Sequence, residues 1–233
     1  MKSKLLWLEV ALLAAPFVAL AFCWDQIPER VPMHWNVAGE IDGWASKGPG
    51  LLLAPLLAVG TVVLLHFLPW LDPKLRRSGG EHGRMRVALP AMRLAVVGLL
   101  DLVFFLQLAV SLGQKLDVGR IIVMATLAVL AVVGNFLGNL RPNYFAGIRT
   151  PWTLEYPETW RATHRLGGRL LCFGSLILLV VQFIVPPASF VWIFLVATAA
   201  LVVWSFYYSW RHAHTLEARR KSSPERDAPE LRE

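Results

Sequence analysis

The chain has 233 residues, of which 56% are hydrophobic and only 17% are charged. A soluble domain carries about 25% charged residues, and the apolar residues here are grouped into long runs without a period. The formal net charge of +7 comes from basic residues dispersed between these runs, which argues against a nucleic-acid-binding surface. The composition therefore excludes a soluble domain and indicates an integral membrane protein.

Six apolar runs are long enough to cross a bilayer, which takes about 20 apolar residues per helix. They are residues 5–24, 51–71, 87–112, 121–140, 170–185 and 190–210. The first run lacks the small-residue cleavage site of a secretory signal, so we interpret it as an uncleaved span. Pro186 and Pro187 separate the last two runs and predict a tight turn. The predicted fold is an all-α integral membrane protein with six transmembrane helices.

Basic residues are concentrated on one side of the predicted bundle. The opposite side holds only Arg30, Lys47, Lys115 and Arg120. Because cytoplasmic loops carry the excess of Lys and Arg, this distribution predicts that both termini are cytoplasmic and that the loop at 25–50 is extracytoplasmic.

Three parts follow along the chain. Residues 1–71 form a two-span unit that contains the loop at 25–50. Residues 72–210 form a four-span domain, with a polar cytoplasmic segment at 134–169. Residues 211–233 form a polar tail that we expect to be disordered or only briefly helical.

The loop at 25–50 carries strand and turn signals. Pro32 favours extended backbone and the flanking residues alternate in polarity, which predicts a short strand and a small extracytoplasmic hairpin. The candidate functional residues of this loop are His34, Asn36, Gly39, Asp42 and Lys47. A ligand or metal site built from the polar ones is an alternative, but their spacing matches no recognised metal motif. A hydrogen-bonded turn is favoured.

Three polar residues inside the apolar runs are further candidates: Arg93, Asp101 and Asn135. A charge near the bilayer centre costs about 2.5–3.5 kcal/mol on insertion scales, so such residues normally face partners. We expect Asp101 to point into the bundle and bond a neighbouring helix, with Asn135 or Asn139 as the candidate partner. The alternative is a protonated Asp101 that only packs.

The segment 134–169 reads GNFLGNLRPNYFAGIRTPWTLEYPETWRATHRLGGR, which is unusually polar for a connection between spans. The helix before it must end at or before Pro142. Gly147 predicts a turn, Thr150 and Pro151 predict the cap and first residue of a helix, and Pro157 predicts a second helix start.

On that second helix the arginines recur every four residues, at 161, 165 and 169, and form a basic stripe. Binding of lipid phosphate and binding of a specific anion or partner are both open interpretations of the stripe.

The runs LRPNYFAGIRTPWTL and TWRATHRLGGR closely resemble the cytoplasmic signature of the SdpI family, bacterial membrane proteins named for a bacteriocin immunity protein. The loop pattern IPERVPMHWN, followed by GEIDGWASK, is similar to the small uncharacterised domain found in the amino-terminal part of these proteins. The resemblance covers nearly all of the chain up to about residue 210. The matched signature positions that we take as candidate functional residues are Asn139, Arg141, Asn143, Arg149, Thr150, Trp152, Trp160, Thr163, His164 and Arg165.

The resemblance implies a protein of the bacterial cell membrane that gives immunity to a secreted antimicrobial peptide and, as in the founding member, holds a transcriptional repressor at the membrane. The expected partners are thus the lipid bilayer, the peptide and the repressor. No catalytic residue, cofactor or metal is expected.

Two other function classes stay open. A membrane-embedded enzyme acting on a lipid or peptide would need a catalytic pair, but His34 and His164 are predicted to lie on opposite faces of the bilayer. The sequence also has no HExxH or GxSxG motif. A small transporter could use the polar residues of the spans as a path, but no inverted repeat is evident.

Overall fold

The computed structural model describes residues 2–77 and 85–222. In chain order the elements are α1 (Lys2–Cys23), β1 (Arg30–Trp35), β2 (Ile41–Ser46), α2 (Lys47–Leu71), α3 (Pro73–Arg77), α4 (Met85–Ser111), α5 (Val118–Leu137), α6 (Pro151–Glu155), α7 (Pro157–Val181) and α8 (Pro187–Ser222). In this described part, six helices are long and apolar enough to cross a membrane, namely α1, α2, α4, α5, α7 and α8. The predicted six-span fold is confirmed, and the chain is a multi-pass membrane protein.

The last two spans are longer than their apolar runs. α7 begins at Pro157, well before the run at 170–185, because proline suits the first helical position and Glu158 favours the positive end of the helix dipole. α8 continues to Ser222, so the expected disordered tail is wrong over residues 211–222. Contacts of this extension with the start of α7, described below, keep it helical. Residues 223–233 of the predicted tail lie outside the described residues.

The expected hairpin is confirmed between α1 and α2. Strands β1 and β2 pair antiparallel, from Arg30 opposite Ser46 to Trp35 opposite Ile41, with an irregularity in register around His34. Below the hairpin an apolar cluster includes Ile27, Val31 and Phe104. The hairpin therefore rests on the ends of α1, α2 and α4.

The other end of the bundle has its own apolar cluster, which includes Leu68, Leu75, Leu137 and Trp160. There α5 and α7 cross closely. A Cβ added to Gly134 would lie only 2.8 Å from the carbonyl oxygen of Gly168, so there is no space for a side chain at this position. Small residues commonly allow such close approach of membrane helices. The close approach of Gly134 to Gly168 shows that Gly134 packs the bundle itself.

Candidate functional site

The polar segment folds around a residue that the sequence analysis did not single out. Asp72 follows α2 and is fully buried. Its Oδ1 accepts hydrogen bonds from the amides of Lys74 at 2.8 Å and Leu75 at 3.2 Å, which caps the start of α3. Its Oδ2 accepts a bond of 2.6 Å from the amide of Tyr144. Asp72 therefore ties the end of α2 to the connection between α5 and α6, residues 138–150, which we call the signature loop.

A signal for Asp72 was present in the sequence. Asp is a strongly preferred N-cap, and Pro73 after it suits the first helical position. The tie to Tyr144 had no such signal, because it joins residues 72 positions apart.

Asn143 organises the signature loop from within. It is fully buried, and its side-chain amide donates to the carbonyl oxygens of Arg141 at 2.8 Å and Ala146 at 3.0 Å. Its Oδ1 accepts from the amides of Phe145 at 2.9 Å and Ala146 at 2.7 Å. Both donor hydrogens and the acceptor oxygen are thus used inside the loop, which makes Asn143 a part of the loop's framework.

Thr150 and Thr153 form the predicted start of α6. The amide of each threonine donates to the hydroxyl of the other, at 2.9 Å and 3.2 Å, and Pro151 occupies the first turn. The Thr150 hydroxyl also donates to Ser209 of α8 at 2.9 Å. The expected cap is confirmed, and it links the signature loop to the last helix as well.

His164 is fully buried, and both of its ring nitrogens are occupied. Nδ1 lies 2.9 Å from the carbonyl oxygen of Trp160, which can only accept, so Nδ1 carries the proton. Nε2 accepts a bond of 3.0 Å from the amide of Ile148 in the signature loop. This pattern requires a neutral imidazole and leaves no free nitrogen for proton transfer.

The backbone of the signature loop lies close against the Nε2 edge of this ring. Gly147 has a φ of +115°, a conformation that L side chains rarely adopt, and a Cβ at this position would collide with the His164 ring. Trp160 stacks on a face of the ring at a centroid distance of 3.9 Å and donates its indole N–H to the carbonyl of Leu140 at 2.9 Å. Gly147 is therefore required here both for its turn and for the close approach.

The arginines of the segment lie outside this packed centre. Arg149, Arg161, Arg165 and Arg169 are all exposed. Arg149 donates to the carbonyl of Tyr144 at 2.6 Å, whereas among the described residues the guanidinium groups of Arg161 and Arg165 reach only carbonyls of their own helix. We call these four arginines the basic face.

The remaining candidate residues of the signature are buried or half-buried. Asn139, Arg141 and Trp152 are half-buried, whereas Thr163 is buried. Among the described residues, the Thr163 hydroxyl has no hydrogen-bond partner.

The extension of α8 packs against the start of α7. Thr159 and the ring of His212 lie 3.1 Å apart, and the hydroxyl of Tyr156 donates to Glu217 at 2.8 Å. Donation to this carboxylate is the main reason that the pKa of Tyr156 is raised to about 12, so the hydroxyl remains protonated at neutral pH. These contacts, which hydropathy does not reveal, hold residues 211–222 in the helix.

Within the hairpin itself, the side-chain contacts are local and exposed. His34 Nδ1 lies 2.5 Å from Asp42 Oδ1, and Asn36 donates to Glu40 at 3.0 Å. Gly39 is exposed in the turn, where its amide donates to the carbonyl of Asn36 at 2.9 Å. This arrangement is the favoured hydrogen-bonded turn. No cluster of three or more metal-ligating side chains occurs in residues 2–77 and 85–222.

Two residues attach the hairpin to the helices. The side-chain amide of Gln107 on α4 donates to the carbonyls of Pro32 at 2.8 Å and Gly50 at 3.3 Å. Lys47 is buried, and its ammonium group lies 4.5 Å from the centroid of the Trp24 ring. Gln107 thus serves as a structural anchor.

The three polar candidates within the spans differ in burial and in their hydrogen-bond partners. Arg93 pairs with Glu9 of α1, with Nε 2.5 Å from Oε1 and a hydrogen bond of 2.7 Å from a terminal nitrogen to Oε2. A partner for Arg93 was expected from the sequence, but Glu9 was not predicted to be that partner.

The expected bond from Asp101 to Asn135 or Asn139 is not formed. Asp101 does point into the bundle and is only 5% exposed, but neither carboxylate oxygen has a hydrogen-bond partner among the described residues. Asn135 is exposed on the outside of the bundle. Successive helix residues are about 100° apart, and because Gly134 faces α7, Asn135 turns away from the interior.

The two polar regions lie at opposite ends of the helix bundle, since the hairpin contacts the last turns of α4 and the signature loop contacts the end of α2. His34 and His164 consequently do not share a site. This agrees with the prediction from the sequence, which placed them on opposite faces of the bilayer.

Comparison with known proteins agrees with the resemblance inferred from these motifs. Residues 139–209 match the SdpI/YfhL protein family, and residues 11–59 match a domain of unknown function, DUF1648. The immunity protein SdpI of Bacillus subtilis (strain 168) is 24% identical to the chain over 188 residues, which cover 78% of this chain and 80% of the relative. No solved structure matches the chain. Residues 139–209 are therefore similar to the SdpI/YfhL family, and this segment is preceded by a match to a domain of unknown function.

Proposed function

We propose that this chain is an immunity protein of the bacterial cell membrane, which protects the cell that carries it from a secreted antimicrobial peptide. The observation that carries the proposal is the similarity to an immunity protein over 78% of the chain. Neither region has to act as an enzyme for this function, because protection requires only that the peptide or its effect on the membrane is intercepted.

The geometry of His164 supports a non-catalytic role over the enzyme alternative. A general base needs a nitrogen within reach of the proton that it abstracts. In His164 one nitrogen donates to Trp160 and the other accepts from Ile148, so the imidazole serves as a connector between α7 and the signature loop.

We further infer that the hairpin faces the outside, from the distribution of basic residues along the chain. The exposed pair His34 and Asp42, together with the half-exposed Trp44, would then face an arriving peptide. The hairpin is the part of the protein that we expect to meet the peptide.

The test is survival of a sensitive bacterium that expresses the protein and is challenged with bacteriocin-like, membrane-active peptides. The wild type is compared with His34→Ala and Asp42→Asn at the hairpin, and the matched control is Lys115→Gln, an exposed residue in the loop between α4 and α5. Membrane abundance is measured for each. Protection that is lost in the hairpin variants at normal abundance supports the proposal, whereas a wild type that protects against no peptide overturns it.

A second proposed function, sequestration of a cytoplasmic repressor, rests on the basic face. Arg161 and Arg165 are exposed, and within residues 2–77 and 85–222 their guanidinium groups donate only to carbonyls of their own helix, so they are available to an acidic surface of a partner. Such groups form charge-assisted hydrogen bonds with carboxylates.

This function is tested by membrane recruitment of regulators encoded beside the gene, each labelled with a fluorescent protein. Arg161→Gln combined with Arg165→Gln is expected to release the regulator into the cytoplasm, and Lys115→Gln is expected to leave it bound. If no neighbouring regulator is recruited by the wild type, or if the double variant still retains it, the basic face has no such role.

A further inference from the structure

A cleft runs along one face of α8 and has no part in the proposed function. Its apolar half is a cavity of about 580 Å³ between α5, α7 and α8. The lining is almost entirely hydrocarbon and includes Leu130 of α5, Leu170 and Leu178 of α7, and Leu201 of α8.

The second half of the cleft begins at Trp204, whose side chain lines both the apolar cavity and a neighbouring cavity of about 260 Å³. The lining of this second cavity includes Tyr208, Arg211 and Arg219. The α8 residues that line the two cavities include positions 197, 201, 204, 208, 211, 215 and 219. They recur every three or four residues and therefore lie on one face of the helix. The two cavities form one cleft that is apolar at one end and basic at the other.

The basic end is not neutralised by the acids that surround it in the structure. Glu217 accepts from the Tyr156 hydroxyl, and Glu158 lies 3.9 Å from Arg220. Within residues 2–77 and 85–222, neither Arg211 nor Arg219 has an acidic partner at ion-pair distance. Both arginines are exposed and open to an anion.

We propose that this cleft binds one anionic phospholipid, with an acyl chain in the apolar half and the phosphate group beside Arg211 and Arg219. Trp and Tyr side chains favour the boundary between hydrocarbon and headgroups, which is where Trp204 and Tyr208 lie in the cleft. Arginine pairs well with phosphate, and basic residues next to a span attract anionic headgroups. A lipid is the occupant that satisfies both ends, because a free phosphate would leave the apolar half empty.

The test uses the purified chain in nanodiscs of phosphatidylglycerol mixed equally with phosphatidylcholine, and native mass spectrometry identifies the lipids that it retains. Gly174→Leu fills the apolar half, and its fold should tolerate the change because a Cβ there meets nothing within 4 Å. Gly60→Leu on α2, where a Cβ also meets nothing within 4 Å, is the matched control.

A second pair of variants tests the basic end. Arg211→Gln combined with Arg219→Gln removes its charge, and the matched control is Arg220→Gln combined with Lys221→Gln, which removes the same charge from the same end of α8 outside the cleft lining. We expect the wild type to retain phosphatidylglycerol in preference to phosphatidylcholine. Both cleft variants should lower that retention about tenfold, and both controls should leave it unchanged.

Three results would overturn the proposal. Equal retention of the two lipids would show that the cleft does not select anionic lipids. An equal loss in the controls would show general attraction of basic helix ends to the bilayer. A wild type that retains no lipid and runs as a dimer, which Gly174→Leu separates, would assign the cleft to a second copy of the chain.

Discussion

The signature loop and the hairpin differ in how their polar side chains are buried and paired. At the signature loop, Asp72, Asn143 and His164 are fully buried, and their hydrogen-bond partners include residues far away in the sequence. At the hairpin, the pairs His34–Asp42 and Asn36–Glu40 are exposed and join residues within eight positions of each other. Burial makes a polar group expensive to leave unpaired, whereas an exposed pair contributes little. The signature loop is therefore a structural centre, and the hairpin presents its polar groups for contact.

This difference changes how the motif that carries the family resemblance is interpreted. His164 and Asn143 are the motif residues with the most obvious capacity for binding or catalysis. The polar atoms of both side chains are already hydrogen-bonded within the protein. Their task is to hold the signature loop on α7, so that arginines such as Arg149 and Arg161 are displayed around it.

The largest effect is expected for Asp72→Ala, which removes the acceptor for three backbone amides. Each buried amide left unpaired costs about 1–3 kcal/mol, so we expect the free energy of unfolding in detergent micelles to fall by about 3–5 kcal/mol. The matched control is Asp117→Ala, where the carboxylate caps α5 through one exposed bond from Arg120, and the expected loss is about 1 kcal/mol. Equal losses in the two variants would contradict the contrast between the ends.

His164→Ala should follow in size. It removes the acceptor of the Ile148 amide and the ring that stacks on Trp160, and we expect a loss of about 2–4 kcal/mol in the same unfolding measurement. The matched control is His214→Ala, because His214 bonds the carbonyl four residues earlier in the same way but is exposed. The control should change stability by less than about 0.5 kcal/mol. A stable His164→Ala protein would show that the signature loop does not depend on this connector.

Gln107→Leu tests the anchor of the hairpin. Loss of the bonds to Pro32 and Gly50 should cost about 1–2 kcal/mol. Because the hairpin is small, the effect should be local, and trypsin should cleave faster at Arg30 while unfolding of the bundle is little changed. Gln114→Leu, an exposed position, is the control. Unchanged cleavage at Arg30 would mean that the apolar cluster alone holds the hairpin.

The smallest effect is expected for Asp42→Asn. The side chains of His34 and Asp42 are 71% and 46% exposed, and exposed ion pairs contribute about 0–1 kcal/mol. We expect thermal unfolding of this variant to match the wild type, so that any loss of protection in cells reports on contact with a partner. A large fall in stability would place the hairpin pair in the same class as the buried residues of the signature loop.

The features that the sequence predicted correctly depend on local physical chemistry. Apolar runs of sufficient length identified the spans, and a proline after a threonine identified the start of α6 at Pro151. The glycine turn at Gly147 and the helix start at Pro157 follow from backbone restrictions on single residues. These signals act within a few positions, so they can be recognised along the chain.

The features that it missed depend on how the helices are rotated against one another. Asn135 lies outside the bundle because its neighbour Gly134 takes the contact with α7, and Glu9 meets Arg93 although 84 residues separate them. The helical course of α8 through residues 211–222 depends on Tyr156 and Thr159 of a remote segment.

By itself, the sequence determined the six spans, the hairpin, the starts of α6 and α7, and the family resemblance. Only the tertiary structure decided which polar residues are buried connectors, as with Asp72 and His164, and which remain exposed, as with Arg161 and His34. The physical reason is that hydropathy and backbone preference are properties of short stretches of chain. Burial and hydrogen-bond partners are set by the packing of helices that are distant in sequence.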